Sequence, residues 1–78
     1  MTEKIIKRIA SLKIRIKQLQ VEADNATAKV SEKIKDNANN PTYIAQWIDN
    51  WMREPNNYNN KIIKLQEEIE ILEWALEE

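Results

Sequence analysis

Glu67, Glu70, Glu73 and Glu77 follow one another at three- or four-residue intervals near the end of the chain. At that spacing carboxylates share one side of a helix, and such a row is the raw material of a divalent-cation face. A working cation site also needs oxygen ligands converging from a second element. In the pairing of segments derived below, Glu22, Asp24 and Glu32 of the first half fall opposite other parts of the chain. The row is therefore expected to be a solvated acidic face, and no metal or cofactor is expected.

The remaining catalytic chemistry is short of parts. The chain has no histidine, no cysteine and no glycine, which removes the commonest general base, the thiol nucleophile, the soft metal ligands and the phosphate-cradling loops together. Ser11 and Ser31 lie in a segment patterned as helix with no base motif near them. A nucleophilic serine needs such a base. The expectation is a protein that is not an enzyme.

Binding chemistry is better supplied. Lys4, Lys7, Arg8, Lys13, Arg15 and Lys17 stand against one acid, Glu3, in the first twenty positions, whereas Glu67, Glu68, Glu70, Glu73, Glu77 and Glu78 outnumber Lys61 and Lys64 at the other end. The basic run could track phosphates with a salt-dependent affinity. It lacks interleaved aromatic residues for base stacking, and the whole chain carries a net charge of −1. Two segments of opposite sign that pair with each other account for the asymmetry more simply, and nucleic acid is the weaker alternative.

The elements that carry these groups follow from the apolar spacing. Ile5, Ile9, Leu12, Ile16, Leu19, Ala23, Ala26 and Val30 alternate by four and three, a heptad seam that predicts one helix over residues 2–36. A turn is expected over 37–41, where an Asp-Asn-Ala-Asn-Asn-Pro run gathers turn formers. Asn40 is placed to cap the next helix with Pro41 in its first turn. Ile44, Trp47, Ile48, Trp51 and Met52 mark a helix over 42–54 ended by Pro55. Tyr58, Ile62, Leu65, Ile69, Leu72 and Leu76 mark another over 56–77, capped by Asn56 or Asn57. The last two continue one seam, so they form a single arm kinked or broken at Pro55.

Two arms of equal length suggest an antiparallel hairpin, an all-α, coiled-coil-like single domain spanning residues 1–78. Pairing Ile5 with Leu76, Ile9 with Leu72, Leu12 with Ile69, Ile16 with Leu65 and Leu19 with Ile62 keeps every layer apolar, and sets small Ala23 and Ala26 against bulky Tyr58 and Pro55. The same register sets Arg15 beside Glu68 and Glu22 beside Lys61.

Several large apolar residues are left over. Ile6, Ile14, Val21, Ile63, Ile71 and Trp74 lie off the seam and are expected to form a protein interface, with a second hairpin covering them to give a dimer or higher assembly with a bundled helical core. A chain of 78 residues without cysteine has few other ways to add burial. Tyr43 and Trp47, off the seam at the turn end, are the candidate anchors for a larger protein partner.

No run approaches the roughly 20 apolar residues of a membrane span, and the first residues lack the apolar core of a signal peptide. A cytoplasmic protein with no membrane contact is expected. Heavy use of Ile, Lys and Asn without Gly is what A/T-rich codons favour, which fits a low-GC bacterium, its phages or its plasmids. The functional expectation is a homo-oligomeric helical module, a small regulator or inhibitor that occludes a surface of a larger protein; the alternative is a scaffold whose main partner is itself.

Overall fold

The computed structural model describes residues 2–77, so Met1 and Glu78, the last of the acidic run, lie outside the described residues. Three helices follow in order: α1 over Thr2–Asp36, α2 over Pro41–Trp51 and α3 over Arg53–Glu77. α1 is 35 residues long and contains neither glycine nor proline to interrupt it. The chain is all-helical and folds back as a hairpin of one long helix and one bent arm.

The hairpin is thin. Its Cα atoms span 58 × 16 × 13 Å, a cross-section that holds two helices side by side and no third. The radius of gyration is 17.7 Å, where a compact domain of this length has about 11–12 Å. One apolar layer between α1 and α3 therefore carries the fold. It contains Ile9, Leu12, Ile16 and Leu19 of α1 and Ile62 and Ile69 of α3, with Ile5, Tyr58, Leu65, Leu72 and Leu76 packed partly buried against them. Ala23, Ala26, Val30 and Pro55 extend the buried set toward the turn. No buried residue among those described is polar or charged.

The turn is closed by short-range hydrogen bonds. The Asn37 side-chain amide donates to the Lys33 carbonyl at 2.8 Å, and the Asn40 backbone N–H donates to the Asn37 carbonyl at 2.8 Å. Asn40 then caps α2: its side-chain oxygen accepts from the Tyr43 N–H at 3.2 Å, with Pro41 in the first turn. An N-terminal turn has N–H groups with no intrahelical acceptor, so a side-chain acceptor and a residue without N–H both fit there.

The bend in the second arm differs from expectation in position. α2 ends at Trp51 and the break falls at Met52, while Pro55 sits inside the first turn of α3 and Asn56 and Asn57 lie within that helix instead of capping it. The cause is still Pro55. A proline cannot donate to the carbonyl four residues before it, and its ring crowds that carbonyl, so the interruption appears at Trp51 and Met52 rather than at the proline. Met52 serves both helices: its N–H donates to the Ile48 carbonyl at 2.9 Å and its carbonyl accepts from Asn56 N–H at 3.0 Å. Pro55 itself is fully buried.

The expected cross-arm ion pairs also change partners. Arg8, not Arg15, meets Glu68, through one guanidinium nitrogen at 3.2 Å from both carboxylate oxygens. Arg15 instead donates to Gln18 at 3.4 Å along its own helix, and the Lys61 ammonium lies over the Tyr58 ring at 5.7 Å instead of pairing with Glu22. Arg8 and Arg15 are one heptad apart on the same flank. A solvent-exposed pair worth about 0.2–1 kcal/mol does not dictate which of two long side chains takes the carboxylate.

Candidate interaction surfaces

Three exposed features stand out against the single buried layer. The first two are the outer faces of α1 and α3. Helical residues advance by about 100° each, so Ile14 and Val21 point roughly 180° away from the buried stripe of α1, and Ile63, Ile71 and Trp74 point roughly 140–160° away from that of α3. Their exposure agrees: Ile14 is 60%, Ile71 66% and Trp74 62% accessible, and Val21 and Ile63 are at least half so. Ile6, 53% exposed, lies toward the flank of α1 instead.

These six residues do not form one patch. The outward direction of α1 and that of α3 are opposite in a two-helix hairpin, so Ile14 and Val21 occupy one edge of the molecule and Ile63, Ile71 and Trp74 the other. A single two-fold contact with one second hairpin, the cover expected from the sequence, cannot reach both edges. The charges on the two edges also differ. Lys7 and Lys17 border the apolar residues of the α1 edge, and Glu67 and Glu70 border those of the α3 edge, all of them exposed.

The third feature is the turn end. None of the residues of α2 is buried; Ile44, Ile48, Trp51 and Met52 are half-buried, and Tyr43 and Trp47 are exposed. The Tyr43 ring lies 6.3 Å from that of Trp47 and 6.0 Å from that of Trp51, both tilted, within the range in which aromatic rings attract one another. The Lys33 ammonium sits 5.7 Å over Trp51, a cation–π contact that ties the end of α1 to α2. Ile34 adds a further apolar side chain, 38% exposed, near the end of α1. Tyr43 and Trp47 are thus brought together, and Trp51, assigned to the seam from its spacing, joins them as a third ring.

One feature escaped the sequence. Arg15, Lys61 and Lys64 surround an open groove of about 250 Å³ floored by Leu19 and Leu65. Lys61 and Lys64 stand in the acidic end of the chain, where net charge hides them, and they meet Arg15 only because the hairpin brings residue 61 back beside residue 15.

Among the described residues no group of three or more carboxylates is close enough to hold a metal ion. Nor is any described helix long and apolar enough to cross a membrane. Set against protein-family models, curated proteins and solved structures, the chain matches none of them.

Proposed function

We propose that this chain is a non-enzymatic binding module that assembles with copies of itself into a helical bundle through the outer edges of its hairpin, and uses the Tyr43–Trp47 end to occlude a surface of a larger protein. In this reading the α1–α3 seam is coiled-coil-like, the setting is the cytoplasm, and the role is that of a small regulator or inhibitor. The observation that carries it is the excess of large apolar side chains outside the core. Ile14, Ile71 and Trp74 are each 60% or more exposed, and fully burying such a side chain is worth about 1.5–3 kcal/mol. A soluble hairpin that displays them on two edges has burial left to gain only by association.

The turn end supports the protein-partner half of the reading. Aromatic anchors on an exposed, lightly packed element are the usual carriers of interface energy, and α2 contributes little to the core that their removal would disturb. A phosphate-binding role finds less support. Lys4, Lys7, Arg8, Lys13, Arg15 and Lys17 are spread around most of the solvent-facing circumference of α1 rather than along one line, and Arg8 is already engaged by Glu68.

The test is solution mass by light scattering across a range of protein concentration and salt, with Trp47→Ala alongside the unaltered chain. A mass above one chain that persists on dilution supports self-association, and a clean monomer overturns it. Trp47→Ala that keeps mass and helicity but loses activity supports a partner at the turn end. Full activity in that variant favours a scaffold whose main partner is itself.

A further inference from the structure

Resting on that self-association, we infer that the copies join head to tail, the α1 edge of one hairpin packing antiparallel on the α3 edge of the next, so that the assembly closes as a ring or runs on as a filament. The charges choose this arrangement. A two-fold contact of α1 edge on α1 edge crosses near Lys17 and sets it beside its own symmetry mate, and one of α3 on α3 gathers Glu67 and Glu70 with theirs. Both leave like charges at the centre of an apolar contact, where they are repulsive and poorly hydrated. Placing α1 on α3 sets lysine against glutamate.

The spacing of the side chains gives the register. On the α1 edge Ala10, Ile14, Lys17 and Val21 succeed one another by about one helical turn, and on the α3 edge Trp74, Ile71, Glu67 and Ile63 do so in reverse order. Laid antiparallel, Ile14 meets Ile71 and Val21 meets Ile63. Lys17 falls beside Glu67, and the largest side chain of the contact, Trp74, falls over the smallest, Ala10, as close packing requires. The antiparallel relation is the one that α1 and α3 already have inside each hairpin, so successive copies are related by little more than a sideways step. Because each copy offers one edge to each neighbour, the contact is heterologous and does not stop at two chains.

Two double variants decide the geometry: Ile14→Glu with Val21→Glu disables the α1 edge, and Ile71→Glu with Trp74→Glu disables the α3 edge. All four positions are at least half exposed, so each variant should keep the hairpin, which circular dichroism checks. Light scattering should find each variant monomeric alone and a complex of two chains, one of each, when they are mixed. A homodimer of either variant, or a mixture that stays monomeric, overturns the head-to-tail contact. A monomeric unaltered chain overturns the self-association beneath it, which is a different result. Should a double variant lose helicity, Lys17→Glu and Glu67→Lys answer the same question. Head-to-tail packing predicts that each alone weakens association by roughly two- to tenfold and that mixing them restores it. Two-fold packing of α1 on α1 exchanges one like-charge pair for another with Lys17→Glu and predicts no change, and two-fold packing of α3 on α3 is relieved by Glu67→Lys, with Glu70 retained, and predicts tighter association; either result would overturn the proposal.

Discussion

Replacing Leu19 with Ala should remove a large part of the stability of this protein, and the size of the loss can be worked from the structure. Leu19 is 1% exposed at the middle of the apolar layer between α1 and α3. A buried Leu→Ala change costs about 2–5 kcal/mol, the upper part of the range where neighbours cannot close the cavity. For 78 residues a total of roughly 4–12 kcal/mol is typical, and a two-helix hairpin with one layer belongs at the low end. The change should therefore lower the thermal midpoint by roughly 8–40 °C, at about 4–8 °C per kcal/mol for a domain of this size, or prevent folding of the isolated chain. The control is Ile14→Ala, which deletes a similar volume from a side chain 60% exposed and gains helix propensity. In a lone hairpin it should shift stability by no more than about 0.5 kcal/mol. Urea denaturation followed by circular dichroism at two protein concentrations separates the cases. A Leu19→Ala loss below about 1 kcal/mol would refute the single-layer account of the fold. An Ile14→Ala loss that grows with protein concentration and shrinks on dilution would place Ile14 in an assembled interface.

Removing the cap with Asn40→Ala should cost about 1 kcal/mol, felt as faster amide exchange in α2 and little change in α1 or α3, because no residue of α2 is buried; Asn40→Asp should retain the cap. A double-mutant cycle on Arg8 and Glu68, whose side chains are 56% and 42% exposed, should give a coupling of no more than about 1 kcal/mol that fades in high salt, and a larger coupling would show the pair shielded from solvent by an assembly. Pro55→Ala should extend α2 toward α3 by restoring the N–H that the Trp51 carbonyl lacks, visible as new amide protection at residue 55, while emptying part of a fully buried site. If protection does not appear, the proline is not the cause of the break.

Much of the fold was legible because its decisive signals are local. The four-three alternation from Ile9 to Val30 marks the buried stripe of α1 residue for residue, since a helix of fixed pitch must bring those positions to one side. The Asn40–Pro41 start of α2 follows from which groups a helix N-terminus leaves unpaired, and the bounds of α1 follow from the run of helix formers and the asparagines that end it. The displayed residues were legible too, by subtraction: Ile6, Ile14, Val21, Ile63, Ile71 and Trp74 are apolar and off the stripe, and all are exposed.

What the sequence by itself determined, then, is the set of residues on each face of each helix, because periodicity and covalent geometry act within a few residues along the chain. Only the tertiary structure decided how those faces are disposed in space. It moved the break from Pro55 to Met52, gave Glu68 to Arg8 in place of Arg15, and gathered Arg15, Lys61 and Lys64 around one groove. It also set the two apolar faces on opposite edges. The physical reason is common to the last three: each depends on where a second helix lies relative to the first, whereas the break follows from the N–H that Pro55 lacks, felt one turn earlier in the chain. Exposed charges and unpaired apolar faces interact too weakly over too many alternatives for spacing alone to choose among them.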